Sequence, residues 1–190
     1  CDKKPKHFFD LKKDAVGIYI DSSKDVKILL LQRRKDDVIP RVYSRNTCEW
    51  KTLTFMKDPD LGSLCLYWLS SGTLCNNVLY FPSPHYWTPA KSYMIAFDVV
   101  SETFSKVSIP QCTHVVARQS RFFKIRNTLH MFVVVKTHAI NVKLFKFEDE
   151  LWSEVSSFPN VNSISFDSWR NKLAKNKGDT WSFEIDRCGI

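Results

Sequence analysis

Glycine is scarce in this sequence: five residues of 190. No Gly-rich phosphate loop, Gly-x-Ser-x-Gly elbow or Gly-x-x-Gly clamp can be assembled from them, which argues against a cradled nucleotide, a hydrolase nucleophile and one common RNA grip. Long apolar runs are missing too. The longest, residues 131–135 and 28–31, are strand-sized, against the ~20 residues of a membrane-spanning helix. There is no His-Glu-x-x-His, no zinc-finger spacing and no aromatic ribonucleoprotein motif. Helix-type patterning is confined to residues 168–177, where asparagines and lysines weaken it. The opening Cys1-Asp-Lys-Lys-Pro-Lys reads as an internal start without a signal-peptide core, and Ile190 falls just after a repeat strand begins. The expectation is a fragment of a longer protein.

What is present favours a packed core. Hydrophobic residues make up 44% of the chain and aromatics 14%, so disorder is not a serious reading and one domain is the default. The formal charge is +8, with lysines and arginines gathered in residues 3–13, 33–35, 118–126 and 170–177. Such a surface suits an acidic protein or a nucleic acid, or is a solvated exterior with its excess spread over loops. Cys1, Cys48, Cys65, Cys75, Cys112 and Cys188 are scattered along the chain, and without a secretory signal they read as reduced thiols of the cytoplasm or nucleus.

A seven-residue step recurs three times: Tyr43 to Trp50, Phe97 to Phe104, and Phe145 to Trp152. Each pair closes an apolar stretch that runs into a short polar turn and returns on an aromatic, the signature of a β-hairpin. A second phrase repeats as well. Asn77-Val-Leu-Tyr-Phe81, Asn127-Thr-Leu-His-Met131 and Asp179-Thr-Trp-Ser-Phe183 stand 50 and 52 residues apart, and a weaker copy, Asp25-Val-Lys-Ile-Leu29, lies 52 residues earlier. A period near fifty with a few short strands per unit predicts an all-β fold of repeated antiparallel hairpins in a propeller-like stack, with an irregular β-sandwich as the alternative.

Along the chain, Asp21-Ser-Ser-Lys24 reads as the first turn, residues 33–37 as a charged loop ended by Pro40, and Arg45-Asn-Thr-Cys48 as the first hairpin turn. Strands are expected near residues 63–69 and 78–81, joined through Ser70-Ser-Gly-Thr73. Residues 82–91 carry three prolines and read as a projecting loop.

The ordered phrases resemble the F-box-associated, kelch-like domain of plant F-box proteins. The stretches that carry the resemblance are Val42-Tyr-Ser-Arg-Asn-Thr-Cys-Glu-Trp50, Asn76-Asn-Val-Leu-Tyr-Phe81, Ile95-Ala-Phe-Asp-Val-Val-Ser-Glu-Thr-Phe104 with its following Pro110, and Lys143-Leu-Phe-Lys-Phe-Glu-Asp-Glu-Leu-Trp152. Gly17-Ile-Tyr-Ile-Asp21 resembles the family's opening, and the match spans about residues 15–159. Asn77 stands where the family favours glycine and Phe81 where it favours tryptophan. The resemblance implies the substrate-recognition part of an SCF-type (cullin–RING) ubiquitin ligase. Its partners would be a protein substrate and, through an F-box outside this chain, a Skp-type adaptor and cullin. It implies no catalysis of its own, no cofactor and no metal. Nucleic acid and membrane are not expected partners. A basic nucleic-acid-binding β-domain and a propeller-type enzyme are the rivals.

Candidate sites are few. His85, Tyr86 and Trp87 lie on the proline-stiffened loop, where exposed aromatics give contact area at small entropy loss; the alternative folds Trp87 back over a sheet edge. Arg33 and Arg34 are a second candidate for partner binding. Tyr43, Trp50, Phe97, Phe104, Phe145 and Trp152 are expected to pack sheets together. Cys112 and His114 are too isolated for a metal site. His130 reads as a packed strand residue, and Glu148-Asp-Glu150 as a solvated hairpin tip.

Overall fold

The computed structural model describes residues 14–34, 37–56, 71–82, 93–110, 121–136 and 138–159, and they form strands and turns. The first sheet holds β1 (Ala15–Ile20), β2 (Val26–Arg34), β3 (Asp37–Ser44) and β4 (Glu49–Thr52). The second holds β5 (Thr73–Cys75), β6 (Val78–Pro82), β7 (Tyr93–Asp98) and β8 (Thr103–Ser108). The third holds β9 (Arg121–Ile125), β10 (Thr128–Lys136), β11 (Ile140–Glu148) and β12 (Leu151–Phe158). Each is a four-stranded antiparallel meander in sequence order. The all-β expectation and its repeated hairpins are therefore met. Among the described residues no strand pairing joins one sheet to another, so the sheets are not closed into a ring, and no helix is long and apolar enough to cross a membrane.

Turn chemistry explains the hairpins. Asn76-Asn77, Arg126-Asn127 and Asp149-Glu150 are two-residue turns with both φ values positive, from 47° to 67°. That is the mirror-image turn whose twist matches paired strands, and asparagine enters it at low strain. Asn77 thus takes a positive φ that glycine would also accept. The four-residue turns 45–48 and 99–102 each end on a positive-φ residue, Cys48 (59°) and Glu102 (53°). These longer turns place Tyr43 opposite Trp50 and Phe97 opposite Phe104.

The third aromatic pair differs from the expectation. Because the turn at 149–150 has only two residues, Trp152 stands opposite Phe147 rather than Phe145, with ring centroids 4.9 Å apart. Phe145 faces Glu154 beyond a register shift at Leu144/Phe145. The seven-residue spacing there is a coincidence of sequence.

Other local readings also shift. Residues 33–37 are mostly ladder: Arg33 pairs with Val38 and Arg34 with Asp37. Pro40 lies inside β3 opposite Leu31. Its carbonyl accepts Leu53 N at 2.9 Å, so its missing donor falls where the β4 ladder has ended. Thr73–Cys75, expected to begin as a connection, is a strand paired with β6. The strand expected at residues 63–69, the helix at 168–177, the repeat copy at 179–183 and the Cys112/His114 pair lie outside the described residues.

The sheets pack face on face. Tyr19, Leu29, Leu31 and Val42 of the first meet Leu79, Phe81, Ile95 and Phe97 of the second. The second sheet's other face sets Tyr80, Met94 and Ala96 against Leu129, Met131, Val133 and Phe145 of the third. A sheet covered on both sides needs apolar residues on both, which is why β7 is buried without alternation from Tyr93 to Phe97. The third sheet's far face carries its own cluster of Phe123, Phe132, Val142 and Leu144. The first strands of the sheets draw together. Gly72 N donates to Val16 O at 2.8 Å, and Thr73 Oγ1 donates to Phe122 O at 3.3 Å. Close approach there requires glycine: a Cβ on Gly72 would stand 2.6 Å from the Phe81 ring.

Candidate functional site

All three sheets end their first hairpins at the same end of the stack, and there the first two sheets build a charged cluster. Asp21 opens the β1–β2 turn and caps it. Its Oδ1 accepts Ser23 N at 2.8 Å, Ser23 Oγ at 2.6 Å and Asp25 N at 3.0 Å. Asp25, 4% exposed, clips this turn to the next one, accepting Ser44 Oγ at 2.6 Å and Asn46 N at 3.0 Å. Lys27 follows on β2, and its Nζ lies 3.1 Å from Asp21 and 3.3 Å from Glu102 of the second sheet. Lys51 of β4 approaches the other Glu102 oxygen at 2.6 Å. Glu102 thus ties the two sheets at their turn end.

The electrostatics follow from these contacts. The Ser23 hydrogen bond leads the group that holds the Asp21 carboxyl down at about 2. Burial works against the charges of Lys27 and Glu102, but their mutual pairing, with Asp21 and Lys51, outweighs it. Lys27 is held above its usual value and Glu102 below. Tyr19, opposite Lys27 on β1, is 1% exposed, and its hydroxyl has no hydrogen-bond partner among the described residues. Burial first, then Glu102, Asp21 and Asp25, push its pKa far up.

A cavity of about 380 Å3 opens here, lined by Ile20, Asp21, Ser22, Lys27, Asn77, Val99, Val100 and Glu102. Two of its walls, Ile20 and Val100, are 60% and 77% exposed, apolar side chains left in solvent at the rim. The sequence reading missed this cluster. Only the polar turn Asp21–Lys24 signalled it, because Lys27 and Glu102 stand 75 positions apart.

The expected sites are distributed differently. His85, Tyr86 and Trp87 lie outside the described residues. Arg33 and Arg34 end β2, away from the charged cluster at its start. The repeat aromatics split into three pairs. Phe97 and Phe104 pack towards the first sheet, where Tyr19 lies 6.0 Å from Phe97 and Phe55 lies 5.0 Å from Phe104. Phe145 and Trp152 face the second sheet, and Trp152 Nε1 donates to Ser108 O at 2.9 Å. Tyr43 and Trp50, 5.2 Å apart, share the opposite face of the first sheet in one cross-strand row with Ile18 and Ile28.

Buried chemistry elsewhere is structural. His130, 4% exposed, stacks on Phe123 with centroids 5.7 Å apart. Glu148 is exposed at its hairpin tip and pairs with Lys146 at 2.6 Å. Cys75 is a free, buried thiol whose Sγ donates to Asn127 O at 2.9 Å. Cys48 is disulfide-bonded, which corrects the reduced reading at that position. Among the described residues no group of three His, Cys, Asp or Glu side chains is placed to hold a metal ion. Compared with known proteins, the chain matches no family model and no curated protein.

Proposed function

We propose that the chain is the substrate-recognition domain of an F-box protein, working in a cullin–RING ubiquitin ligase. It would bind target proteins through its loops, while partner subunits supply the catalysis. One observation carries this reading: the ordered phrases that resemble the F-box-associated domain fall on strands, three of them on the third strand of successive sheets (β3, β7 and β11) and one on the second strand of the second sheet (β6). Val42-Tyr-Ser lies on β3, Leu79-Tyr-Phe on β6, Ile95-Ala-Phe-Asp on β7 and Lys143-Leu-Phe on β11. A family resemblance confined to composition would scatter between strands and turns.

The same reading makes the sheets successive blades of a propeller-like stack. It is supported by the adjoining first strands and by hairpin aromatics that turn, in the second and third sheets, towards the sheet before. Tyr43, Trp50, Ile18 and Ile20 would then form the equivalent face of the first sheet. The Cys48 disulfide stands against a reducing compartment, and selective alkylation of the thiols tests that part separately.

The test is affinity capture with the full-length parent protein from cell extract. Co-purification of a Skp-type adaptor and cullin is expected. Their absence would remove the ligase reading. Nucleic acid in the eluate that is lost steeply between about 50 and 200 mM salt would replace it with the basic-domain alternative.

A further inference from the structure

The cavity at the turn end has a chemistry that selects its guest. Its charged lining residues, Asp21, Glu102 and Lys27, sum to −1 in a chain of formal charge +8. Lys51, 2.6 Å from Glu102, brings that sum to zero at rest; a guest cation that displaces it meets the −1, whereas an anion meets two ionised carboxylates. The rim is apolar, with Ile20 and Val100 among the most exposed large hydrophobics of the described residues. A cationic head on an aliphatic stem satisfies both parts.

The site is also built before any guest arrives. Val99 N donates to Asn77 O at 2.9 Å, locking two turns together. Asp98 Oδ1 accepts Val100 N and Ser101 N, both at 2.8 Å. Asp21 Oδ1 is filled by turn donors and its Oδ2 by Lys27. Glu102 is different. One oxygen holds Lys27, whose side chain is 21% exposed, but the other holds Lys51, which is 68% exposed. An exposed ion pair of that kind is worth little and exchanges readily.

We infer that this cavity takes a lysine or arginine side chain from a bound protein segment, its cationic head replacing Lys51 on Glu102 and its stem lying on Ile20 and Val100. The inference rests on the proposed function only for the identity of the segment's owner.

The test is an NMR titration of the 190-residue chain with acetyl-Leu-Lys-Leu-amide, following the Ile20 and Val100 methyl groups. Norleucine and glutamate versions of the peptide serve as controls. The lysine peptide should move both methyl signals. The norleucine peptide, which keeps the stem and lacks the charge, should bind on the order of tenfold more weakly, the scale of one charge-assisted hydrogen bond. Glu102→Gln should lower affinity by a similar factor, and Lys51→Ala should raise it by removing the competitor. Val100→Ser lies at an exposed position and leaves the fold intact, so its weakened binding reports the stem contact alone.

Equal binding of the three peptides, tighter binding of the glutamate peptide, or weaker binding to Lys51→Ala would each overturn the inference. If no peptide moves the methyl signals while the full-length parent still captures adaptor and cullin, this site falls and the ligase reading stands. Peptide binding without that capture leaves the site standing and removes the ligase reading.

Discussion

Replacing Gly17 with alanine should destabilise the protein, even though no glycine among the described residues needs a positive φ. Alanine restricts the unfolded chain, which alone would favour folding by about 0.4–1 kcal/mol. The added Cβ, however, would stand 2.7 Å from Leu79 Cδ1 and 3.0 Å from Phe81 Cζ. Both side chains are 0% exposed and held between the first two sheets, so neither swings aside. Overpacking of this kind costs about 1–3 kcal/mol. It outweighs the gain and leaves a net loss of about 1–2 kcal/mol. Leu79→Ala by itself should cost about 2–5 kcal/mol through lost burial and a residual cavity. It also removes the methyl group that the new Cβ strikes. In that background Gly17→Ala should be close to neutral, which is a coupling of about 1–2 kcal/mol. The remaining Phe81 contact sets the coupling towards the lower figure. Urea unfolding of the two single variants and the double variant, followed by tryptophan fluorescence, measures it. Additivity within about 0.5 kcal/mol would refute the packing argument.

The Glu102 tie between sheets gives a contrast of two substitutions: Glu102→Gln should lose about 1–2 kcal/mol in urea unfolding because the half-buried Lys27 keeps only Asp21, whereas Lys51→Ala should lose less than about 0.5 kcal/mol because its partner contact is solvated. Equal losses would show that the bridge does not join the sheets. Burial, ahead of the neighbouring Lys146, holds His130 below its ordinary value. The unfolded chain therefore binds the proton more readily, and stability should be full above about pH 6.5 and decline as pH falls below it. His130→Gln should flatten that slope in thermal melts between about pH 7 and 5, and an unchanged slope would assign it elsewhere. Burial likewise pushes the Cys75 thiol up, against the pull of Lys124. Alkylation and peptide mass analysis should label Cys75 only after unfolding and Cys48 only after reduction. Labelling of Cys48 in denatured, unreduced protein would contradict the disulfide and restore the reducing compartment.

Elements whose causes are local could be read directly from the chain. The Asp21–Lys24 turn, the Arg45–Cys48 turn and the alternating stretch around Tyr43 follow from residue type and spacing within ten positions, and all three appear in the structure. The packed role of His130 was legible from its repeat position beside apolar neighbours. Readings that needed a partner strand did not survive. Pro40 looks like the end of a charged loop until β3 is seen to run through it against Leu31 and Leu53, where its missing donor meets the ladder's end. Thr73–Cys75 is too short to announce itself and exists as a strand because Asn76-Asn77 folds it onto β6. Phe145 and Trp152 share the spacing of the other aromatic pairs, but a two-residue turn and a register shift give Trp152 to Phe147.

The sequence by itself determined an all-β chain of repeated hairpins, because alternation and turn residues act over a few positions. A large apolar ring in a period-two pattern also marked the hairpin aromatics for packing, and four of the six, Phe97, Phe104, Phe145 and Trp152, lie between sheets while Tyr43 and Trp50 do not. Only the tertiary structure decided which faces meet, that Phe97 and Phe104 pack on the first sheet while Tyr43 and Trp50 face away, and that Lys27 and Lys51 converge on Glu102. Those pairings join residues 51 and 75 positions apart. Whether such charges meet depends on how sheets stack, and stacking is driven by non-directional burial of apolar area that carries no record of which charged residues it will bring together.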